Sequence, residues 1–338
     1  MPEAFPQAAP TSGPPTTEEL PQDCLVLSAA EVGEALLHAD LPSALERALI
    51  GSPADEDRRF RQLITVDSGA FHVVGGAAWL SGAELLGLKV NGRYESGRMR
   101  GTMLLVDAST GAVTGLMDSG ELTIARTAAM VGIAVRRLAP TRQERALVVG
   151  TGRLSTPVIN ALRASSRIER IDVWGRHPDR AEAAAAAHDG LVDAVHDLHA
   201  AARQADVIVT ITSATSPVLR EEDVAPGALV VAVGSDSFTK QELDPALLTD
   251  SVVVVDSATQ CLAQGELRAA VAAGAIAETD VHGDLADVLR AQRDPRRSTE
   301  QRVVVDLTGI ALQDLVAARA ICAEAHRRGL GELVRLRP

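Results

Sequence analysis

The chain shows two different patterns of apolar and polar positions. From Arg59 to Ser119, short apolar runs are separated by turn residues such as Asp67-Ser68-Gly69, which predicts an antiparallel sheet. The predicted strands are Arg61 to Val66, Ala70 to Gly75, Leu86 to Val90, Thr102 to Val106 and Val113 to Leu116. A long amphipathic helix follows from Gly120 to Leu138 and ends before Pro140. We expect a domain boundary after this helix.

Beyond Arg145 the pattern changes to apolar strands that alternate with helical stretches. These strands are predicted around Leu147 and Ile171, and over Val207 to Ile211, Leu229 to Val233, Val252 to Asp256 and Val303 to Asp306. Strands spaced by helices favour an α/β fold with a doubly wound, Rossmann-like parallel sheet. We therefore expect an antiparallel-sheet domain over residues 23–139 and a parallel-sheet domain over 140–308. A last helix, residues 309–330, is long enough to return to the first domain. Residues 1–22 are dominated by Pro, Ala, Thr and Glu, and they predict a disordered tail.

The stretch from Arg145 to Ser155 carries the clearest chemical signal. A short apolar strand leads into Gly150, Gly152 and Ser155, which fill a Gly-x-Gly-x-x-small pattern. The first glycine permits a tight turn, the second lets the backbone approach a pyrophosphate, and the small residue allows the helix to pack on the strand. The next helix would face the phosphates with its amino end. The pattern predicts a bound dinucleotide, and the alternative is a βαβ unit that binds no nucleotide.

The end of the next strand indicates which dinucleotide is bound. An NAD site usually has an acid there that accepts from the ribose hydroxyls, whereas arginine accommodates the 2′-phosphate of NADP. The strand that ends at Trp174 continues into Gly175-Arg176-His177, which offers a cation and no carboxylate. We therefore favour NADP(H) over NAD(H). The alternative is that Arg176 only faces solvent.

Composition argues against several classes of partner. The formal net charge of −12 opposes binding to nucleic acid or to anionic membranes, which attract basic surfaces. Aromatic residues make up only 2% of the chain, so base-stacking platforms are not expected. Cys24, Cys261 and Cys322 lack the spacing of a zinc site or a disulfide framework, and no metal is predicted. The sequence has no apolar run of membrane-spanning length and no signal peptide, so we expect a cytoplasmic location.

Several separate stretches together resemble the ornithine cyclodeaminase and mu-crystallin family over nearly the whole chain after the tail. They are Gly87-Leu88-Lys89-Val90, Leu104 to Ala108 leading to Gly111, Arg126-Thr127-Ala128-Ala129, the glycine loop, Val233-Gly234-Ser235-Asp236, Lys240 to Asp244, Val255-Asp256-Ser257 and Gly309 to Asp314. The resemblance implies a homodimer assembled through the antiparallel domain, which would also bind substrate. Substrate and nicotinamide would meet between this domain and the NAD(P)-binding domain.

The resemblance assigns substrate-binding roles to cations that stand in unusual places. Lys89 lies in an apolar strand, and the matching family lysine contacts the substrate carboxylate; the alternative is a cation that reaches solvent. Arg126 lies in a small, apolar helix and suits bidentate capture of a carboxylate, unless it lies on the exposed side. Arg61 matches the family's first carboxylate-binding arginine. It also belongs to a cluster of arginines that is typical of a solvated face.

Asp236 follows a predicted strand, at the end where ligands bind in open α/β sheets. The matching family aspartate binds the substrate amine and helps proton transfer, and the alternative is a residue that caps a turn. We therefore expect Lys89 and Asp236 to act in catalysis. The predicted cofactor-binding residues lie in the family motifs or follow strand ends, and they are Thr127, Gly150, Thr151, Gly152, Arg153, Leu154, Ser155, Gly175, Arg176, His177, Thr212, Ser213, Val233, Gly234 and Ser235.

Two stretches depart from the family pattern. The loop before Leu104 is shorter than is common in the family and contains Arg98 and Arg100, which could bind a second anionic group of the substrate or merely face phosphate or solvent. Val305-Asp306-Leu307-Thr308 stands where the family has Phe-Lys-Ser before a glycine, so a positive group is lost. The identity of the substrate is therefore left open.

The chemistry implied by the resemblance is hydride exchange at the α-carbon of an amino or imino acid. We predict an NAD(P)H-dependent oxidoreductase that acts on the C–N bond of an α-imino or α-amino acid, as an imine reductase or an amino-acid dehydrogenase. One alternative is an ornithine or lysine cyclodeaminase, which forms proline or pipecolate with recycled NAD. Another is a non-catalytic NADPH-binding protein, although Lys89, Arg126 and Asp236 argue against a loss of catalysis.

Overall fold

The computed structural model describes residues 23–51, 59–66, 69–80, 83–94, 99–188, 190–234, 237–292 and 294–336. The predicted tail, residues 1–22, lies outside the described residues. So do three of the predicted site residues, which are Arg98, Ser235 and Asp236.

The first part of the chain forms the predicted antiparallel sheet. Its strands are β1 (Cys24–Leu27), β2 (Arg59–Val66), β3 (Gly69–Leu80), β4 (Ala83–Tyr94), β5 (Met99–Asp107), β6 (Val113–Asp118) and, from the far end of the chain, β17 (Glu332–Val334). They form a seven-stranded sheet in the order β17-β1-β6-β5-β4-β3-β2. Strands β2 to β6 are an antiparallel meander, whereas β1 runs parallel to β6. All five predicted strands are present, and each is longer than predicted.

The length of β4 and β5 corrects the prediction of a loop between Val90 and Leu104. Residues 91–94 continue β4 and residues 99–103 belong to β5, so only four residues separate the two strands. Arg100 is therefore a strand residue, in register with Gly92. Polar and glycine residues suggested a loop, but pairing with the neighbouring strand determines the local structure here.

Helices cover one face of this sheet. They are α1 (Ala29–Leu36), α2 (Leu41–Gly51), α3 (Gly120–Leu138) and, from the end of the chain, α11 (Ala311–Arg328). Ser28 caps α1 in a reciprocal arrangement with Glu31. Along β4, Leu85 and Lys89 are buried under the helices, whereas Leu86 on the opposite face is 44% exposed. This alternation shows which face of the sheet belongs to the core.

The second part of the chain forms the predicted parallel sheet. Its strands are β7 (Arg145–Val149), β8 (Arg170–Trp174), β9 (Val192–Ala194), β10 (Val207–Thr210), β12 (Leu229–Ala232), β14 (Val252–Val255), β15 (Gly283–Asp284) and β16 (Val303–Asp306). Their order is β15-β14-β16-β12-β10-β7-β8-β9, and all neighbouring pairs are parallel. The central strands are buried along their whole length, as expected for a sheet covered on both faces. The predicted α/β fold with two separate sheets is therefore confirmed.

Shorter elements complete the second part. They are the helices α4 (Ser155–Ser165), α5 (Pro178–Ala186), α6 (Leu198–Ala202), α7 (Ala246–Thr249), α8 (Ala258–Gln264), α9 (Glu266–Ala272) and α10 (Leu285–Ala291), and the strands β11 (Thr215–Leu219) and β13 (Gln241–Leu243). The two strands pair with each other as a small parallel sheet. Among the described residues, no helix is long and apolar enough to cross a membrane.

Two long helices join the two sheets. Helix α3 packs on the helices of the first sheet and on α4 beside the second. Helix α11 follows β16 directly and packs on β3, β4 and β5. One apolar core therefore continues from the covered face of the antiparallel sheet to one face of the parallel sheet. This arrangement places the carboxyl edge of the parallel sheet beside the strand that carries Lys89.

Candidate active site

The predicted cofactor-binding residues in the described part of the parallel-sheet region lie along one edge of the sheet. Residues 150–155 follow β7, residues 175–177 follow β8, Thr212 and Ser213 follow β10, and Val233 and Gly234 follow β12. These four strands are neighbours in the sheet, and β7 lies at the point where the strand order reverses. Ligands of open α/β sheets bind at such a point, outside the carboxyl ends of the strands.

The glycine loop has the shape that a pyrophosphate requires. Gly150 has a φ of +131°, and a Cβ there would lie 3.0 Å from the carbonyl oxygen of Ile211. A Cβ on Gly152 would meet nothing within 4 Å, so open space lies in front of this residue. Within the described part of the chain, no side chain caps the amino end of α4. A favourable helix dipole and open space in front of Gly152 fit an anionic phosphate group.

The end of β8 presents a cation and no acid. Arg176 and His177 are exposed, and Gly175 packs against Thr151 so closely that a Cβ would lie 2.6 Å from its Cγ2. The acid of this strand, Asp172, is buried and pairs with Nε of Arg145 at 3.1 Å. Burial raises the pKa of Asp172, and the neighbouring arginines oppose the rise. Asp172 supports the sheet and does not face a ribose at its edge.

Arg153 connects the glycine loop to the first part of the chain. Its Nη2 donates to Oε1 of Glu121, in the first turn of α3, at 2.6 Å. Both side chains are largely accessible to solvent. Arg153 therefore lies at the mouth of the glycine loop with its charge paired across the junction between α3 and β7.

Lys89 and Arg126 share one buried carboxylate. Nζ of Lys89 lies 2.6 Å from Oδ2 of Asp314, and Nε of Arg126 lies 3.1 Å from Oδ1 of the same residue. Lys89, Arg126 and Asp314 are 4%, 8% and 2% exposed. Cations so deeply buried are rare unless they are paired or bind a ligand. The alternative that Lys89 reaches solvent is wrong, and the alternative that Arg126 lies on the exposed side of its helix is also wrong.

A chain of hydrogen bonds connects this cation pair to the parallel sheet. Nη1 of Arg126 donates to Oε1 of Gln313 at 2.8 Å, and Nε2 of Gln313 donates to Oδ2 of Asp256 at 3.3 Å. Asp256 follows β14 and also accepts hydrogen bonds from the backbone N atoms of Thr308 and Gly309, which follow β16. The ends of β14 and β16 in the parallel sheet are thereby linked through Gln313 to the Arg126 side chain on α3.

Gly309 brings its backbone against the guanidinium of Arg126. Its φ is +82°, a conformation that favours glycine, and a Cβ would lie 2.6 Å from Nη1 of Arg126. Only glycine therefore allows the chain to turn from β16 into α11 over the face of this arginine. The turn places Gln313 and Asp314 on the first turn of α11, beside both cations.

Three predicted substrate residues remain, and the structure describes the positions of two of them, Arg61 and Arg100. Position 61 on β2 is in register with Val74 on β3, which is in register with Lys89 on β4, so Arg61 is aligned with Lys89 two strands away. Arg100 is exposed and lies three residues from Met103, the strand partner of Lys89. Because side chains alternate along a strand, Arg100 lies on the opposite face of the sheet from Lys89. Arg98 lies outside the described residues.

Thr127 is buried within α3, one residue after Arg126. Its hydroxyl donates to the carbonyl of Thr123 at 2.7 Å, a bond within the helix. The structure therefore places Thr127 beside the cation pair and leaves its predicted contact with the cofactor as a prediction. The role of Asp236 also stays a prediction, because the structure after β12 is described only as far as Gly234 before Asp236.

Sequence reasoning named the two cations but assigned no role to Asp314, Gln313 or Asp256. All three stand in stretches that resemble the family, so a signal was present. Local pattern could not show that an acid at the start of α11 meets a lysine on β4. Among the described residues, no group of three His, Cys, Asp or Glu side chains could hold a metal ion.

A dinucleotide-type edge beside a buried cation pair is typical of an enzyme that handles small carboxylates with a nicotinamide cofactor. The chain belongs to the ornithine cyclodeaminase/mu-crystallin family, because the model of that family matches residues 22–329. The resemblance found in the separate motifs is confirmed.

Individual relatives agree with this assignment. Iminosuccinate reductase of Paracoccus denitrificans is 34% identical over 262 residues, which are 75% of this chain and 81% of that protein. Its structure in complex with NAD+ covers 92% of this chain and 99% of its own, with a TM-score of 0.81. Delta(1)-pyrroline-2-carboxylate reductase of Bacillus cereus is 30% identical over 265 residues, 75% of this chain and 81% of that protein. An archaeal alanine dehydrogenase dimer with bound NAD is 27% identical, has a TM-score of 0.84, and matches 93% of this chain and 100% of its own.

Proposed function

We propose that this chain is an NAD(P)H-dependent oxidoreductase that reduces the C=N bond of an α-imino acid to the corresponding amino acid. The observation that carries the proposal is the buried pair of Lys89 and Arg126 beside the carboxyl edge of a dinucleotide-type sheet. Two cations share one carboxylate, Asp314, so the cluster can accept the carboxylate of a substrate.

In this proposal the side chains divide the work. Lys89 and Arg126 bind the substrate carboxylate and so fix the imine carbon in front of the glycine-loop edge. A nicotinamide bound at that edge would supply a hydride to the imine carbon. Asp236, which follows β12, donates the proton that the nitrogen takes up as the C=N bond becomes C–N. The buried surroundings of the cation pair exclude water and strengthen its electrostatic hold on the substrate.

The names of the relatives support this reaction type. Iminosuccinate and Delta(1)-pyrroline-2-carboxylate, the compounds in two of these names, are both α-imino acids. The alanine dehydrogenase is named for alanine, an amino acid of the kind that reduction of an α-imino acid forms. Binding of the α-carboxylate by Lys89 and Arg126 would serve all three substrates. The rest of the pocket would select among them.

The proposal includes a preference for NADP(H) over NAD(H). Arg176 is exposed directly after β8, and the acid of that strand, Asp172, is buried away from the edge. Two of the similar structures hold NAD, so the preference needs its own test. Arg176→Ala should weaken NADPH binding more than NADH binding, whereas Arg180→Ala, an exposed arginine one turn along α5, should affect neither. Equal effects of Arg176→Ala on the two cofactors would refute the assignment.

We also propose a homodimer formed through the face of the antiparallel sheet that lies opposite the helices. Leu86 is 44% exposed on that face, and Leu88 and Val90 are only partly buried. The archaeal alanine dehydrogenase is a dimer. Leu86→Glu should lower the molar mass measured by light scattering from that of two chains to that of one. Residues 23–139 with the last helix would form the substrate-binding and dimerisation domain, and residues 140–308 the cofactor domain.

One experiment separates the proposed function from its alternative. The purified protein is mixed with NADPH or NADH and a panel of cyclic and acyclic α-imino acids, and the near-ultraviolet absorbance of the reduced cofactor is followed. We expect oxidation of the cofactor with at least one imino acid and formation of one amine for each cofactor consumed. Ammonia release from ornithine or lysine without net change in cofactor would instead identify a cyclodeaminase. A cytoplasmic location is part of the proposal, because the reaction draws on the cellular NAD(P)H pool.

A further inference from the structure

Glu242 is a fully buried acid that lies outside the cation pair and joins two of the predicted cofactor loops. Its Oε1 accepts a hydrogen bond from the backbone N of Thr212 at 2.5 Å. Its Oε2 accepts from the backbone N of Gly234 at 2.8 Å and from Oγ1 of Thr210 at 2.9 Å. Thr212 follows β10 and Gly234 follows β12, which are neighbours in the sheet. One carboxylate therefore ties together the ends of two adjacent strands.

These contacts suit an ionised carboxylate. All three partners are donors, and an ionised carboxylate accepts on both oxygens. Burial raises the pKa of Glu242, and the hydrogen bonds from Thr212, Thr210 and Gly234 oppose that rise. Glutamine at this position would turn an NH2 group toward one of the donors. It would therefore release one of the two loops while keeping the size of the side chain.

Gly234 is held on both sides of its backbone. Its N–H group donates to Glu242, and its carbonyl oxygen accepts from Nζ of Lys240 at 3.0 Å. A Cβ on Gly234 would lie 2.5 Å from Cδ of Glu242, so only glycine allows this close approach. The chain continues from Gly234 toward Asp236. The contacts on Gly234 therefore fix the backbone at the end of β12, two residues before Asp236.

Glu242 is itself anchored by other buried acids. The backbone N atoms of Glu242 and Leu243 donate to Oε1 and Oε2 of Glu266 at 2.8 and 3.0 Å. Glu266 begins α9, and Oδ2 of Asp306 accepts from the backbone N of Leu267 at 3.0 Å. Two further acidic side chains, Glu266 and Asp306, thus hold β13 against α9 and β16. This support fixes the position from which the Glu242 side chain reaches the two loops.

We propose that Glu242 is a positioning residue, which holds the backbone at Thr212 and Gly234, just after β10 and β12, in the geometry that receives the nicotinamide end of the cofactor. The inference rests on the proposed function. Strand β8 with Arg176 lies on one side of β7, and β10 and β12 lie on the other. A dinucleotide that crosses the glycine loop with its adenosine end near Arg176 therefore reaches the Glu242-bound loops with its nicotinamide end.

The test compares NADH with ADP-ribose, which differ only in the nicotinamide end, and adds NADPH, which also carries a 2′-phosphate on its adenosine ribose. Dissociation constants of NADH, NADPH and ADP-ribose are measured by calorimetry for the wild type, Glu242→Gln and Thr210→Val. We expect Glu242→Gln to weaken both reduced cofactors about tenfold or more, because a loop held by a charge-assisted hydrogen bond is released. ADP-ribose, which lacks the nicotinamide, should bind with little change. Thr210→Val is the matched control, because it removes one hydrogen bond from the same carboxylate but releases neither loop.

Each outcome bears on a different claim. Equal loss of NADH and ADP-ribose affinity, or the same selective loss in Thr210→Val, would assign Glu242 to general stability and overturn the inference. If Glu242→Gln does not fold, Glu242→Asp replaces it, because the shorter carboxylate keeps the charge but does not span both loops. If the wild type binds cofactor and neither Glu242 variant changes the dissociation constant, the inference is refuted but the proposed function is not. A wild type that binds neither reduced cofactor refutes the proposed function, and the inference with it.

Discussion

Replacement of Asp314 by Asn removes the negative charge that Lys89 and Arg126 share. The two side chains have the same shape, so the change leaves no cavity and its effect is electrostatic. Both ion-pair distances are short, at 2.6 and 3.1 Å, and the three side chains are 5%, 10% and 2% exposed. Solvent therefore screens these charges only weakly.

The expected cost follows from this burial. Loss of one partner from a buried ion pair leaves an uncompensated charge and destabilises a protein by about 3–5 kcal/mol. An exposed ion pair contributes below about 1 kcal/mol, because solvent and salt screen it. Arg136 and Glu46 form such a pair, with side chains 43% and 32% exposed. Glu46→Gln is therefore the matched control for Asp314→Asn.

Urea unfolding followed by circular dichroism measures both effects. We expect Asp314→Asn to lower the free energy of unfolding by about 3 kcal/mol or more, with an unchanged slope against urea. The double variant Lys89→Met/Asp314→Asn should lose less than the sum of the two single variants, because the pair is coupled. A loss from Asp314→Asn no larger than that from Glu46→Gln would refute the account of a buried, mutually dependent cluster.

Three further changes test other parts of the structure. Burial raises the pKa of Asp306 well above its ordinary value. The folded chain therefore keeps a proton that the unfolded chain loses, and stability falls as pH rises above about 4. Asp306→Asn should reduce the loss of unfolding free energy with rising pH, measured by urea unfolding at several pH values. The same pH dependence in the variant and the wild type would contradict this explanation. Gly309→Ala should cost at least about 1 kcal/mol and raise KM for substrate, because its φ is +82° and its Cβ would meet Arg126; an unchanged KM would count against the site. Gly152→Ala should leave thermal unfolding of the free protein unchanged, since its Cβ would meet nothing within 4 Å. It should weaken NADH binding about tenfold by calorimetry, and unaltered binding would place the pyrophosphate elsewhere.

The long elements could be predicted because each has a clear period. Helix α3 spans Gly120–Leu138, as its amphipathic pattern predicts, and the apolar runs of the parallel sheet form the expected strands. Strands such as β9 and β15 are too short to show a period. Strand β17 pairs with β1 from the opposite end of the chain, and local pattern contains no information on such pairing.

The site was predictable where a residue conflicts with its surroundings. Lys89 in an apolar strand and Arg126 in an apolar helix stand out, and both are buried in the structure. Asp314 does not stand out, because an acid in the first turn of a helix is a common stabilising feature. Its contact with Lys89 depends on how α11 packs on β4. At Arg100 the local pattern was misleading, because a polar stretch suggested a loop where the structure has a strand. Pairing with β4 decides which face of the sheet the Arg100 side chain occupies.

Transfer of an isotope from the cofactor tests the central claim most directly. Reduced cofactor carrying deuterium at both hydrogen positions of C4 of the nicotinamide is incubated with the protein and an α-imino acid, and the amino acid formed is analysed by mass spectrometry. The account predicts one deuterium on the α-carbon of the product, and loss of product formation in Lys89→Met, which removes a cation from the carboxylate site. An amino acid product without deuterium, or full activity in Lys89→Met, would contradict it.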